Sequence, residues 1–123
     1  MTTPTLTDLT SKKCVPCEGG VPPLDSKDVA ELLKTVPGWT LTDDEKGIRR
    51  EWRVRNFLAG LRFFDKVGAL AEDEGHHPDL HLEGYRNVTV EITTHAVGGL
   101  TENDFILAAK INGLPIEEKA ASH

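Results

Sequence analysis

Between Asn56 and Gly75 the residues Phe57, Leu61, Phe64, Gly68 and Ala71 follow the i, i+4, i+7 rhythm of a helix, joined by Leu58 and Leu70. No other feature constrains the fold as much. Asn56 is a capping residue and Gly75 a stop, and the stripe between them is wide, which predicts the principal helix of the molecule, packed on a sheet. In a chain of 123 residues everything else is arranged around it as one domain with one site. The length does not accommodate a catalytic domain and a separate cofactor domain.

Upstream, Leu24-Asp25-Ser26-Lys27-Asp28-Val29 marks a helix start, where Asp25 can cap and Leu24 can staple onto Val29. Val29, Leu32, Leu33 and Val36 keep to one face until Pro37-Gly38 ends the element. Trp39 to Thr42 and Ile48 to Val54 flank the polar run Asp43-Asp44-Glu45-Lys46-Gly47, a hairpin pattern with Ile48, Trp52 and Val54 on one side. Two more strands are predicted over Leu80 to Tyr85 and Val88 to His95, with Arg86-Asn87 as the turn and Gly84 as a possible bulge site. In the second, Val88, Val90 and Ile92 share one parity and Thr89, Glu91, Thr93 and His95 the other. His95 therefore lies away from the helices or at the strand's mouth.

Thr101-Glu102-Asn103-Asp104 opens a last helix as a capping box before Phe105, Ile106, Ala108, Ala109 and Ile111, and Gly113 and Pro115 close it. The order α-β-β-α-β-β-α predicts an α+β fold: a four-stranded antiparallel sheet with helices packed on one face. The expected boundaries are a flexible N-terminal arm over 1–23, a folded unit over 24–113 and a frayed C-terminal tail over 114–123.

Charge excludes two classes of partner. With 14 basic against 20 acidic residues the formal charge is -6, and no basic block or stripe is visible, so nucleic acid and anionic membrane are not expected to bind. No apolar run reaches the roughly 18 residues of a membrane span, and the N-terminus lacks a charged-then-apolar leader, so the expectation is a cytoplasmic protein. The motifs GxxxxGK[ST], GxGxxG and Gly-x-Ser-x-Gly do not occur, which disfavours nucleotide, dinucleotide and serine-hydrolase chemistry.

The chemistry gathers between Glu72 and Asp104. Four of the five histidines fall there, and three of them, His76, His77 and His95, stand out with the carboxylates Glu72 and Asp104 and the aromatic Tyr85. Histidine exchanges protons near neutral pH, and carboxylates beside it orient the ring and stabilise its charged form, so this is the equipment of an acid/base site. Pro78 biases His77 toward an extended backbone and makes the His pair project from a bend. Competing readings stand beside this one. His76 and His77 can be surface loop residues, Asp104 can do no more than satisfy helix amides, and Trp39 and Trp52 are core aromatics by default. His81 alternates with Leu80 and Leu82 and points to the surface. Metal chelation by His76, His77 and His95 is a rival, weakened because neighbours on an extended segment point apart. Cys14 and Cys17 form a Cys-x-x-Cys loop without a second ligand pair nearby; a His from elsewhere could complete a metal site there.

Glu72, three residues, His76-His77-Pro78, six residues, Tyr85, nine residues, His95, eight residues and Asp104 together resemble the signature of the pterin-4a-carbinolamine dehydratases. The similarity runs from about Asp25 to Ile111 and includes Pro37-Gly38-Trp39 and Thr94-His95-Ala96-Val97-Gly98-Gly99-Leu100-Thr101. The resemblance implies helices on one face of a four-stranded antiparallel sheet and assembly into a homodimer or homotetramer. The implied activity is loss of water from 4a-hydroxytetrahydropterin to give quinonoid dihydropterin, in tetrahydrobiopterin recycling, with no metal or organic cofactor. It assigns His76 and His95 as the acid/base pair, His77 as a pterin contact, Glu72 and Asp104 as supporting carboxylates, and Tyr85 and Trp39 as residues shaping the pocket. Relatives of this family also act as protein-binding partners, so a non-catalytic assembly scaffold of the same fold is the alternative.

Overall fold

The computed structural model describes Leu9 and residues 23–119. Cys14 and Cys17, with the rest of the N-terminal arm other than Leu9, lie outside the described residues, as do residues 120–123. The elements run α1 (Ser26–Leu33), β1 (Thr40–Leu41), β2 (Ile48–Arg53), α2 (Phe57–Glu74), β3 (Asp79–Glu83), β4 (Asn87–Ile92), a 3-10 turn (His95–Val97) and α3 (Glu102–Asn112). This is the α+β order read from the sequence. The four strands form one antiparallel sheet in the order β1-β2-β4-β3.

Local chemistry explains the starts of the helices. Asp25 accepts from the Asp28 amide at 2.8 Å, and Asn56 accepts from the Ala59 amide at 2.9 Å, each satisfying a donor that the first helical turn leaves free. Strand parity explains the layers. Ile48 lies opposite Ile92, Trp52 opposite Val88 and Leu82 opposite Val88, so these side chains share the helix-covered face. Arg49, Glu51, Thr89, Glu91, Asp79 and His81 alternate onto the other, polar face. Trp52 stacks edge-on against Trp39 and Phe63, with centroids 6.0 and 5.0 Å away. α3 is buried from Asn103 through Ala109 and again at Ile111, the pattern of a helix enclosed on all sides. Leu9 is buried with this core. Among the described residues no helix is long and apolar enough to cross a membrane.

Three expectations are corrected. The stripe of α2 that meets the core is Ala59, Gly60, Phe63, Val67 and Ala71, continuing to Glu74, while Phe57, Leu58 and Leu61 are 48, 60 and 40% exposed. Small residues won because the helix lies close to the sheet: a Cβ on Gly60 would stand 3.1 Å from the Leu82 side chain. β3 ends at Glu83, not Tyr85, and β4 at Ile92, not His95. Gly84 and Tyr85 both have positive φ, 55° and 53°, so the chain turns at Gly84 to Arg86, ahead of the expected Arg86-Asn87. The segment after α3 does not fray up to Lys119. Its Glu117 carbonyl accepts from Arg55 N and its Lys119 amide donates to Arg53 O, both at 2.8 Å. The Glu117 carboxylate takes Arg62 at 2.7 Å and Arg55 at 2.6 Å, and the Arg62 hydrogen bond holds its carboxyl below the usual range.

Candidate active site

His76 is delivered by the end of α2. Gly75 adopts the left-handed conformation at φ 66°, and its amide reaches the carbonyls of Ala71 and Glu72, which stops the helix and swings the next residue off its axis. The amide of His76 closes on Ala71 O at 3.2 Å. Two residues before His76, Glu74 is buried and meets Lys110 of α3 at 3.0 Å. That ion pair ties the last turn of α2 to α3, so the His76 backbone is clamped from both sides of the bend.

Asp104 meets it from α3. The residue is fully buried, and each of its oxygens has work. Oδ2 accepts from the Thr101 amide and from Thr94 Oγ1, both at 2.8 Å, while Oδ1 lies 2.7 Å from His76 Nε2. The first bond is the capping box expected of Thr-x-x-Asp; the last shows that capping and holding an imidazole coexist in one carboxylate. Position in the first turn of α3 favours its negative charge through the helix dipole. A carboxylate only accepts, so Nε2 of His76 carries the proton and Nδ1 presents the lone pair. Nothing among the described residues bonds Nδ1. The ring is thus a positioned base at Nδ1, and once protonated there it is an acid whose charge faces Asp104.

His77 and Glu72 make a looser pair. Their closest atoms are 3.5 Å apart, and the side chains are 61 and 81% exposed. His95 opens the 3-10 turn directly after Thr94, whose amide bonds Gly99 O at 3.1 Å, so its backbone adjoins the Thr94–Asp104 contact. The His95 side chain is outside what the structure describes. The fold therefore gathers Glu72, His76, His77 and Asp104 with the backbone of His95. It does not bring Tyr85 or Trp39 to them within one chain. Tyr85 is 58% exposed at the opposite end of the β3–β4 hairpin, and Trp39 is buried, its indole N–H donating to Asn112 Oδ1 at 2.8 Å.

Two concavities lie on the sheet. One of about 530 Å³ includes Arg49, Arg53 and Glu83 on the polar face. The other, about 430 Å³, is lined by Asp43, Asp44, Lys46, Asp79, Glu91 and Thr93 among others. Neither is lined by His76, His77 or Asp104, but the second has Asp79 and Thr93 on its wall, each a short step along the chain from the imidazole cluster. Thr94 and Glu74 escaped the sequence reading. Thr94 stood in the run Thr94–Thr101 that carries the family resemblance but was given no role of its own, whereas Glu74 lay on the helical period Phe63, Val67, Ala71, Glu74 once that phase is recognised. No group of His, Cys, Asp or Glu among the described residues is disposed to hold a metal ion.

Comparison with known proteins gives concordant findings. A family model described as Pterin 4 alpha carbinolamine dehydratase matches residues 22–114. The Arabidopsis thaliana protein named "Pterin-4-alpha-carbinolamine dehydratase 2, mitochondrial" is 53% identical over 116 residues, 92% of this chain and 62% of that protein. The chain thus spans less than two thirds of that plant relative. A Methylococcus capsulatus protein named "Putative pterin-4-alpha-carbinolamine dehydratase" is 48% identical over 109 residues, covering 89% of this chain and 95% of its own. Among solved structures, a transcriptional coactivator/pterin dehydratase from Brucella melitensis superposes with a TM-score of 0.69 at 30% identity, over 74% of this chain and 96% of that one.

Proposed function

The chain belongs to the pterin-4a-carbinolamine dehydratase family, and from that premise we propose that it removes water from 4a-hydroxytetrahydropterin, a hydro-lyase reaction, giving quinonoid dihydropterin for tetrahydrobiopterin recycling. One observation carries the reading at the level of atoms: the 2.7 Å bond between His76 and a fully buried Asp104 whose second oxygen is already occupied. Such a carboxylate cannot turn away to solvent, so it fixes both the plane and the tautomer of the imidazole.

Dehydration needs two proton movements. The hydroxyl leaving the 4a carbon must receive a proton, and N5 must lose one. An imidazole poised with a free lone pair serves either step, and a second imidazole serves the other. His76 is one member of the pair, through Nδ1. His95 is the other in this proposal, supported by the position of its backbone beside Thr94. His77, exposed and only loosely held by Glu72, is free to follow the ring of a bound pterin. The protein's own groups suffice for these transfers, so the proposal invokes no cofactor. A homodimer or homotetramer belongs to the same reading, supported by exposed Phe57, Leu58 and Leu61 on α2.

The test is kinetic. Chemically generated 4a-carbinolamine is offered to the wild type and to His76→Ala, His77→Ala and His95→Ala. Loss of either proton-transfer ring is expected to slow turnover by roughly 10² to 10⁴, with His77→Ala acting chiefly on KM. Three folded variants as fast as wild type would refute the assignment.

A further inference from the structure

Two glycines stand side by side in the loop behind His95, and they are there for different reasons. Gly98 has a left-handed backbone, φ 68°, and a Cβ added to it would meet nothing within 4 Å among the described residues. Gly99 makes no such conformational demand. A Cβ added there would lie 2.9 Å from Pro23 Cβ and 3.4 Å from Pro23 Cγ, inside the roughly 3.5–4.0 Å at which carbon atoms pack. Conformation selects glycine at the first position and close approach selects it at the second.

The loop is short and pinned along one line. Thr94 and Gly99 pair across it as an antiparallel bridge, Thr94 N donating to Gly99 O at 3.1 Å, and residues 95–98 form its tip. On the inner side this base is knotted to α3, since Thr94 Oγ1 donates to Asp104 Oδ2 and lies 2.9 Å from Thr101 Oγ1. A knot at the base does not by itself fix the tilt of the tip. The outer flank supplies that restraint. Leu24 N donates to Leu100 O at 2.8 Å, which lays Pro23-Leu24 along the far side of Gly99-Leu100. Both runs are anchored: Leu100 is buried, and Asp25 caps α1 through the Asp28 amide while α1 buries Val29 and Leu32 in the core. A pyrrolidine ring has its φ fixed and no rotamer by which to retreat. Pro23 is therefore a rigid stop, and the His95 loop rests on it through a residue whose lack of a side chain permits the contact.

We propose that Pro23 and Gly99 are positioning residues for the reaction: the proline ring sets the tilt of the loop, and so the backbone position from which His95 acts. The division of labour matches the two imidazoles. His76 is aimed by a hydrogen bond to a buried carboxylate, whereas the segment that bears His95 is aimed by steric contact on its outer side. Proton transfer tolerates little displacement, because a misplacement of about 1 Å can cost on the order of 10² in rate. The role of His95 in this inference rests on the dehydratase reading; the contact between Pro23 and Gly99 does not.

A compensating pair of substitutions tests it. Gly99→Ala puts one methyl group into the contact. It is expected to lower kcat on 4a-carbinolamine about tenfold, to change KM by less than about twofold, and to move the backbone amide NMR signals of residues 95–98. Adding Pro23→Gly removes the atoms that the methyl meets. The double variant is expected to return to within about threefold of wild-type kcat and to bring those signals back. Its loss of stability in urea should be smaller than the two single losses summed, the mark of coupled neighbours. A folded Gly99→Ala as fast as wild type, or a double variant no faster than Gly99→Ala, overturns the inference. If Gly99→Ala does not fold, Pro23→Gly alone carries the test: about threefold lower kcat at unchanged KM is expected, and wild-type kcat overturns the inference. The contact is judged without catalysis. Additive stability losses with unmoved amide signals overturn it even if the wild type is a dehydratase. Coupled losses and reversible amide shifts in a protein inactive on 4a-carbinolamine would uphold the contact, and the dehydratase reading would fail alone.

Discussion

Two imidazole–carboxylate pairs sit side by side in the chain, and the fold treats them oppositely. His76 meets Asp104 at 2.7 Å with the carboxylate fully buried, whereas His77 meets Glu72 at 3.5 Å with both side chains mostly in water. The residue types are nearly the same; what differs is how many other groups hold the acid. Asp104 is fixed by the amide of Thr101, the cap of α3, and by Thr94, so its orientation is decided before any ligand arrives. Glu72 projects from the last turn of α2, and screening by water leaves such a pair little net attraction. Catalysis depends on groups that need no reorganisation at the moment of reaction, so the buried pair is the one suited to chemistry and the exposed one to contact.

The strongest way to break that contrast is Asp104→Asn. The amide keeps the shape of the carboxylate but has one acceptor where two are needed. Thr101 N and Thr94 Oγ1 claim the oxygen, so the NH₂ faces His76 Nε2, which must then present its lone pair. The proton moves to Nδ1, and the base is aimed the wrong way. Turnover is expected to fall by roughly 10² to 10⁴, with the loss of charge at the helix N-terminus costing about 1 kcal/mol of stability. Nitrogen NMR of His76 reads the tautomer directly. An unchanged tautomer with slow turnover would mean Asp104 acts by charge alone.

Thr94→Val comes next. It removes one donor to Asp104 and the partner of Thr101 Oγ1, which lies 2.9 Å from Thr94 Oγ1, without changing the size of the side chain. In this buried setting the expected loss is about 1–2 kcal/mol by urea denaturation, and Thr94→Ser should recover most of it. Equal stability in the valine variant would show that the Thr101 amide alone fixes the carboxylate.

Which of these contacts the sequence disclosed follows from their range. Caps at Asp25, Asn56 and Thr101 are satisfied within three residues, and each was legible. The alternation of Val88, Val90 and Ile92 was legible because one face of β4 is buried throughout. The phase of α2 was not, since bulk drew attention to Phe57 and Leu61 while the sheet selected Ala59 and Gly60 for close approach. Tyr85 was assigned to a strand because left-handed backbone at a non-glycine residue leaves no mark in the sequence. The Thr94–Asp104 bond and the docking of Glu117 on Arg55 and Arg62 depend on residues brought together only by folding. Of the site itself, Asp104 was legible as a cap and, through the family resemblance, as a carboxylate supporting the imidazoles; that it is His76 it holds was a matter of geometry.

The smallest effect belongs to Glu72→Gln. At 3.5 Å and 81% exposure this carboxylate contributes at most a screened attraction to His77, so stability should change by less than about 0.5 kcal/mol and kcat/KM by less than about fivefold. The residual effect should shrink further in 0.5 M salt, because the Debye length there falls to roughly 4 Å, whereas the Asp104→Asn defect should not respond to salt. That difference separates a contact made through water from one made in the interior. A Glu72→Gln loss as large as that of Asp104→Asn, and indifferent to salt, would mean that ligand binding buries the His77–Glu72 pair. The distinction between the two pairs would then belong to the free protein only.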